Sequence, residues 1–355
     1  MLSLLFKQAV KKIVFGDTLL SQEFFLGLPE PQTEIAVWLH GLETPINVTH
    51  RHTMACAAPF TVCVAFDEGG KPRQTQWDRL SLKFCERGGT RKVLGEIGLR
   101  LVTDIPRAGF DLCLFEARNS ANYCLPRTRL HAHYLMQAYA DRGMSGASAM
   151  EMSFLERRAA MVNFIRPHPV VLVSLLPENR GNIFPMNIMG ELGRGYFAFG
   201  LKDSRRAAHL VEGCGRIALS SLPMSHGQLA YQLASNHTKD FIDWKQLPFT
   251  TRPSSKFRIP VPGFAPRVRE MEICKVHPIG SHTFFVAHTV SDEAYSRAPV
   301  LHVVHGFYQA WRLKGRSREL ESSVAEHAAS KHGAYRPEAP SAVSSNAKTT
   351  HAGAA

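Results

Sequence analysis

The fold is decided by residues 166–223, which read RPHPVVLVSLLPENRGNIFPMNIMGELGRGYFAFGLKDSRRAAHLVEGCGRIALSSLP. Two apolar runs, Pro169–Leu176 and Asn182–Met189, flank a polar turn and are predicted to pair as a hairpin. A third apolar run, Tyr196–Leu201, leads into a basic turn, and a helical pattern follows it. The predicted order is therefore three strands, an anion site, a helix and a further strand.

The basic turn reads Lys202-Asp203-Ser204-Arg205-Arg206. Asp203 or Ser204 is expected to cap the helix, which leaves free backbone N–H groups beside two arginines. Arginine offers paired donors that fit a phosphate, and the start of a helix adds partial positive charge. We therefore predict an anion site formed by Lys202, Ser204, Arg205 and Arg206. The alternative is a solvated basic turn followed by an ordinary helix.

Several other short stretches are considered together with this turn, because of the order in which they occur along the chain. They are Asn182-Ile183-Phe184-Pro185-Met186-Asn187, Gln228-Leu229-Ala230, Asp240-Phe241, Phe257-Arg258-Ile259-Pro260, Glu270-Met271-Glu272-Ile273-Cys274 and Ile279-Gly280-Ser281-His282. Together with Lys202 to Gly215, this series resembles the flavin reductase-like, FMN-binding split-barrel family over residues 150–312. The motifs are individually weak, and the resemblance depends on their order.

The resemblance implies a mainly β fold with helices, in which an FMN-binding split β-barrel of Greek-key topology occupies residues 150–314. Before it, we predict a β-rich domain at 1–145, whose role and family the sequence does not reveal. Its regularly spaced strands indicate a small antiparallel sandwich or barrel. The predicted strands are Glu34–His40, Ile46–His52, Phe60–Phe66, Leu80–Cys85, Gly95–Thr103 and Asp111–Glu116, with a helix at 129–140 and a linker at 143–153.

The resemblance also implies a cofactor, FMN or FAD, with NADH or NADPH as the hydride donor. Backbone groups along one strand edge would contact the pyrimidine end of the flavin. The residues assigned to this edge are Asn182, Pro185, Met186, Asn187, Ile188 and Met189. For Met186 and Met189, ordinary core packing is an equal alternative to flavin contact.

His282 is the predicted catalytic residue, because the histidine of the family's G-D-H turn lies near the nicotinamide and the flavin. The competing interpretation is a structural histidine at the start of a strand. Two positions depart from the family pattern. Ser281 replaces the aspartate of that turn, and Ala207 stands where the family often has threonine.

The function implied is a flavin-dependent oxidoreductase resembling NAD(P)H:flavin reductases. By the same resemblance it would be a homodimer with flavin near the subunit interface, and its reduced flavin could serve a partner monooxygenase. One alternative is an FMN-binding electron-transfer module. Another is a non-catalytic interaction protein on a degenerate split barrel.

The composition limits the partners and the compartment. The 355 residues carry a formal charge of +12, which suits anionic partners such as a flavin phosphate. We expect neither nucleic-acid binding, because no long basic run contains interleaved aromatics, nor a transmembrane helix, because no long apolar run exists. Seven cysteines without a C-x-x-C pair are typical of a reducing compartment, and we predict a cytoplasmic protein.

The two ends of the chain and its paired histidines complete the predictions. Residues 1–15 are expected to form a surface helix, with membrane contact as the alternative. Residues 315–355 contain few apolar side chains and are expected to form a disordered tail. His50 and His52 could face a metal together on a strand, whereas His131 and His133 on a helix would diverge. We predict no metal site and interpret these histidines as surface or partly buried residues.

Overall fold

The computed structural model describes residues 23–87, 91–107, 109–142, 152–176 and 180–314. The predicted N-terminal helix and the predicted tail lie outside the described residues, as does most of the predicted linker. Among the helices in those ranges, none combines the length and the apolar character needed to cross a bilayer.

The first half of the chain forms eight strands and then a long helix within the described ranges. They are β1 Glu23–Leu28, β2 Ile35–His40, β3 Ile46–Asn47, β4 His52–Cys56, β5 Thr61–Asp67, β6 Ser81–Glu86, β7 Val93–Arg107, β8 Phe110–Asn122 and α1 Arg127–Arg142. A 3-10 helix at Gln74–Arg79 lies between β5 and β6.

One predicted strand of this half, Ile46–His52, is wrong. Strand β3 ends at Asn47, and β4 begins only at His52. The side chain of Asn47 accepts hydrogen bonds from the backbone N–H of Thr49 at 3.0 Å and from its hydroxyl at 2.7 Å. Such a local bond competes with strand pairing and turns the chain.

The second half begins with a helix and continues through the remaining strands. Its elements are α2 Phe154–Asn163, β9 His168–Pro169, β10 Val171–Leu175, β11 Asn182–Met186, β12 Met189–Gly193, β13 Tyr196–Lys202, α3 Arg206–Cys214, β14 Arg216–Ser221, α4 Gln228–Gln232, β15 Thr251–Pro253, β16 Pro260–Pro262, β17 Arg267–Ile279, β18 His282–Ala294, β19 Val300–His305 and α5 Gly306–Leu313.

The predicted hairpin of this half is confirmed, because β10 and β11 pair antiparallel along five residues. The prediction of one strand from Asn182 to Met189 is wrong. Strand β11 ends at Met186 and pairs with β10, whereas β12 begins at Met189 and pairs with β13. Because β11 and β12 lie at opposite edges of one sheet, the chain must leave the first edge to reach the second.

Two seven-stranded antiparallel sheets make up most of the protein. The first has the order β3-β2-β6-β7-β8-β5-β4, and the second has the order β11-β10-β14-β17-β18-β13-β12. Strands β1, β19 and β9 form a smaller sheet, and β15 pairs with β16. The predicted fold class, mainly β with a Greek-key barrel in the C-terminal half, is confirmed.

Each large sheet encloses its own apolar core, and a third core lies between the two sheets. This third cluster includes Ala55, Cys63, Leu112 and Leu114 from the first half with Leu192, Ala198, Phe284 and Val286 from the second half, all of them buried. Strand β1 also pairs with β19 along six residues, so the N-terminal segment is part of the second half's structure. The division at 145–150 stays a prediction.

Close approach of the two halves requires glycine at particular positions. A Cβ atom placed on Gly200 would lie 2.5 Å from the backbone oxygen of Ala55. We therefore expect Gly200→Ala to lower the free energy of unfolding by about 1–3 kcal/mol, since an overpacked interface must shift its backbone. The measurement is denaturant unfolding of the full chain.

The matched control is Gly213→Ala on α3, where a Cβ atom would meet no described neighbour within 4 Å outside its own helix. This substitution should raise the free energy of unfolding by about 0.5–1 kcal/mol, because alanine is the better helix former. Equal effects of the two substitutions would contradict the close contact of the halves.

Buried histidines make the fold sensitive to acid. Burial lowers the pKa of His305 to about 3 and that of His302 to about 4. Between about pH 6.5 and 4 these histidines bind protons in the unfolded chain but stay neutral in the folded chain. The free energy of unfolding must therefore fall as the pH falls. We expect each such histidine to contribute up to about 1.4 kcal/mol per pH unit in this window.

The test is the pH dependence of denaturant unfolding in His305→Asn. His305 caps α5 by accepting a hydrogen bond from the N–H of Phe307 at 3.1 Å, and asparagine can retain that cap. Between about pH 6.5 and 4, the free energy of unfolding of His305→Asn should change less steeply with pH than that of the parent protein. The same slope in both proteins would show that His305 is protonated in the folded state.

Candidate anion and cofactor site

The predicted anion site lies where β13 ends and α3 begins. Lys202, the last residue of β13, pairs with His282 at the start of β18. The backbone N–H of Asp203 donates to the carbonyl of Ser281 at 3.1 Å. The basic turn at 202–206 is therefore held against the turn that contains the predicted catalytic histidine.

The predicted cap of α3 by Asp203 or Ser204 is wrong. The N-cap residue is Arg205, which is extended and makes no side-chain cap. The carboxylate of Asp203 instead accepts a hydrogen bond from the hydroxyl of Thr283 at 2.6 Å. The helix ends before Gly215, whose φ of +66° suits glycine. The start of the helix thus has no side-chain cap, and such a position can favour an external anion.

The basic side chains of the turn differ in their surroundings. Arg206 forms an ion pair with Asp240. Lys202 is half-buried and Arg205 is exposed, and neither has an ion pair with any described residue. Ser204 is also exposed. Lys202, Ser204 and Arg205 are therefore free to face a ligand, whereas Arg206 is already engaged.

Two histidines flank this turn. Burial lowers the pKa of His282; the charge of Asp203 acts to raise it, and the charge of Lys202 acts to lower it. Burial likewise lowers the pKa of His237, with Arg205 adding to the effect. Lys202 and Arg205 therefore lie close to two imidazoles that are neutral near pH 7.

His237 connects the basic turn to strand β11 and was missed by sequence reasoning. Its Nε2 lies 2.7 Å from the carbonyl oxygen of Pro185, and its ring packs on Phe184 at 4.7 Å between centroids. No local motif marks this histidine, because its position depends on contacts with residues about 50 positions earlier.

The side chain of Asn182, a predicted cofactor contact, points into the protein interior. It is fully buried, and its amide donates to the carbonyls of Asn236 at 3.0 Å and Lys239 at 2.8 Å. Asn236 returns a hydrogen bond to the carbonyl of Ile183 at 2.9 Å. These bonds hold the segment that carries His237 beside β11.

The other predicted strand residues separate into two groups. Pro185, Met186 and Asn187 line a cleft of about 210 Å³, together with Glu23, Phe25, Val170, Ala230, Tyr231, Ala234 and Val303. Ile188 packs against the core of the first half, and Met189 is buried in the core of the second half. The structure therefore brings three of the six strand residues to a common cleft.

His282 is buried, with 4% of its surface exposed. Its Nδ1 lies 2.9 Å from the hydroxyl oxygen of Ser281 and 3.6 Å from the sulfur of Cys56. The hydroxyl of Ser281 thus supplies a partner where the family's turn has a carboxylate. Cys56 belongs to β4, so the first half of the chain also contacts this site.

Ala207, the other departure from the family pattern, lies in the core. It is fully buried among the apolar side chains of the second half. Its methyl group therefore faces the protein interior, and the departure does not alter the polar surface of the basic turn.

The paired histidines of the first half have separate partners. His50 lies 3.2 Å from the carboxylate of Glu191, whereas Nδ1 of His52 lies 2.6 Å from the carbonyl of Val48. Within the described ranges, no three histidine, cysteine or acidic side chains are grouped as metal ligands.

No protein-family model and no curated protein matches this chain. It is similar to a solved FMN-binding protein from Thermus thermophilus, at 24% identity over 36% of this chain and 73% of that one, with a TM-score of 0.33. It is also similar to the NADH:FAD oxidoreductase SgcE6 of Streptomyces globisporus C-1027, at 14% identity over 42% and 89% of the two chains, with a TM-score of 0.37.

A third similar structure is the styrene monooxygenase flavin reductase of Pseudomonas putida S12. The identity is 17%, the match covers 40% of this chain and 90% of that one, and the TM-score is 0.34. These proteins are of the kind that the sequence resembles. Each match covers about two fifths of the chain.

Proposed function

We propose that this protein binds the phosphate of FMN, or the corresponding phosphate of FAD, at 202–206 and reduces the flavin with NADH or NADPH. The observation that carries the proposal is the uncapped start of α3 beside Lys202 and Arg205, two cations without an ion pair among the described residues. Such a site favours a phosphate through backbone donors, helix charge and side-chain charge together.

The residues present fit the phosphate and part of a ring. The cleft along Pro185, Met186 and Asn187 has a volume of about 210 Å³, below the ~300–1,000 Å³ of typical ligand pockets. A planar ring placed there would be covered only in part. The uncovered face would stay open to a nicotinamide, as a hydride donor requires.

Bound flavin would supply the hydride chemistry, and the protein would supply binding and orientation. In this proposal Lys202, Ser204 and Arg205 bind the phosphate, and the backbone at 185–187 orients the ring. His282 remains a proposed site residue, because its neutral imidazole lies beside the hydroxyl of Ser281 and its position in β18 is paired with Lys202.

The proposal extends to the setting of the protein. None of the seven cysteines, all of which lie in the described ranges, forms a disulfide, and this fits a reducing compartment such as the cytoplasm. Reduced flavin would pass to a partner enzyme, for which a monooxygenase is the predicted class. The homodimer implied by the sequence resemblance stays a prediction.

The direct test uses purified full-length protein. Its absorbance spectrum would be recorded before and after incubation with FMN and removal of the free flavin, and NADH and NADPH oxidation would be followed with and without added FMN. We expect retained flavin and oxidation that rises with added flavin. Retained flavin without turnover of added flavin would indicate an electron-transfer module, and no retained flavin with no oxidation would contradict the proposal.

A further inference from the structure

The two large sheets have the same strand order. When β2 to β6 are matched with β10 to β14, and β7 and β8 with β17 and β18, the order β3-β2-β6-β7-β8-β5-β4 becomes β11-β10-β14-β17-β18-β13-β12. Every neighbouring pair is antiparallel in both sheets. Seven strands in the same order indicate one fold used twice.

The irregularities of the edge strands also coincide. Strand β4 has a bulge between Met54 and Cys56, and β12 has one between Glu191 and Gly193. In both strands the bulge lies between the third and the fifth residue of the strand. Because β-bulges are specific features of a fold, their shared position supports the matching.

The two longest hairpins share their bulges as well. In the β7–β8 pair one register shift lies opposite Phe115 and Leu114, and in the β17–β18 pair one lies opposite Ala287 and Val286. Leu114 is four residues beyond the start of β8, as Val286 is beyond the start of β18. Each hairpin also has a second register shift, which begins three residues earlier in the first strand, at Gly98 in β7 and at Glu270 in β17.

The halves meet as two subunits meet around a two-fold axis. Thr53 and Gly190 are equivalent, since each is the second residue of its matched strand, and a Cβ atom on Gly190 would lie 2.7 Å from that of Thr53. Equivalent residues touch in this way only at the axis of an isologous contact.

The contacts away from this axis are reciprocal. The N–H of Ser281, in the β17–β18 turn, donates to the carbonyl of Ala58 in the β4–β5 turn at 2.9 Å. In the opposite direction, Arg194 of the β12–β13 turn donates to the carbonyl of Gly109 in the β7–β8 turn at 2.7 Å. The short hairpin of the first half, β4–β5, therefore contacts the long hairpin of the second half, β17–β18. In the same way the short hairpin β12–β13 contacts the long hairpin β7–β8.

The proposed anion site of the second half has no equivalent at the matched, described positions of the first half. Lys202 pairs with His282 at the end of β13, and the equivalent pair at the end of β5 is Asp67 with Phe110. A 3-10 helix at Gln74–Arg79 takes the place of α3. The matched position therefore has a carboxylate instead of a cation, and the nearby Arg51 and Arg194 are already paired with this carboxylate at 2.5 Å and 3.1 Å.

We propose that the first half is an internal copy of the second that lacks the anion site, so that one chain forms the complete two-fold unit and holds one anionic ligand. The first half occupies this face of the second half, so in this proposal the internal pairing takes the place of the predicted homodimer. The identity of the ligand as a flavin rests on the proposed function, whereas the internal pairing rests on the strand order and contacts alone.

The internal pairing is tested by Ser281→Cys in a Cys274→Ser background, which removes the exposed thiol. The Ser281 hydroxyl lies 3.8 Å from the sulfur of Cys56, so mild oxidation of the full chain should join positions 56 and 281 by a disulfide. The products would be examined by non-reducing electrophoresis and peptide mass analysis. Ser296→Cys in the same background is the control, since Ser296 is exposed and follows the end of β18, whereas Cys56 contacts His282 at the start of that strand.

We expect the 56–281 disulfide within single chains, and no such bond in the control. A covalent dimer linked through 56 and 281 would show that the two halves come from different chains, and failure to form the bond would contradict the close approach of the two turns. Either result overturns the proposal.

The number of ligands is measured separately by native mass spectrometry of the parent protein with FMN. We expect no more than one FMN per chain, and two per chain would contradict the loss of the second site. If no FMN binds, the proposed function fails, and the disulfide still decides the internal pairing.

Discussion

Replacing Lys202 and Arg205 together by alanine is expected to weaken FMN binding by about 100-fold or more. A hydrogen bond to a charged group contributes about 1.5–3 kcal/mol, and about 1.4 kcal/mol corresponds to a factor of ten in affinity. Neither side chain has an ion pair among the described residues, so their loss should change ligand binding more than stability. Fluorescence titration with FMN measures the affinity.

The matched control is Lys245→Ala with Arg118→Ala, which likewise removes two cations, both of them exposed and neither of them in the basic turn. Its FMN affinity should remain close to that of the parent protein. A similar loss in both double variants would mean that overall charge, rather than the turn at 202–206, attracts the flavin. Arg206→Ala should have a smaller effect than Arg205→Ala, because Arg206 already pairs with Asp240.

Replacing Arg269 by methionine is expected to lower the free energy of unfolding by about 3–5 kcal/mol, since it leaves a buried carboxylate without its partner. Arg269 donates to Glu30 at 2.5 Å, and the two side chains are only 6% and 10% exposed. Ser221 also donates to this carboxylate. Although burial acts to raise the pKa of Glu30, the charge of Arg269 holds it below its usual value.

The control for this prediction is Arg216→Met, which breaks an exposed ion pair with Glu272 in the same sheet, 3.2 Å apart. Exposed pairs contribute about 0–1 kcal/mol, so the change should be small. The double variant Glu30→Gln with Arg269→Met should recover part of the loss, because the buried charge is then gone. Denaturant unfolding of the four proteins gives these values, and equal losses at Arg269 and Arg216 would contradict the buried pair.

Local sequence patterns were enough to predict the elements around the site. The apolar runs before and after the polar turn predicted the β10–β11 hairpin, and the basic turn correctly marked the passage from β13 to α3. Hydrophobic periodicity and turn residues act over a few positions, so a sequence alone can reveal them.

Long-range contacts determined what the sequence could not predict. Asp203 has the right chemistry for a helix cap, but Thr283, 80 residues later, takes its carboxylate. His237 reaches the site because Asn182 fixes the segment around Asn236, 54 residues away. No spacing rule links such positions before the strands are paired.

The internal copy was missed for a related reason. What the two halves share is strand order and bulge position, which depend on pairing between distant residues. Lys202 and His282, which pair beside the proposed anion site in the second half, are replaced in the first half by Asp67 and Phe110. A motif-based comparison therefore has nothing to match.

The central claim, that the turn at 202–206 binds a flavin phosphate, is tested most directly by comparing FMN with riboflavin, which lacks the phosphate. Both ligands would be titrated into the parent protein and into Lys202→Ala with Arg205→Ala. We predict that the parent protein prefers FMN by about 100-fold or more and that the variant binds the two ligands almost equally. An unchanged preference in the variant, or no preference in the parent protein, would contradict the claim.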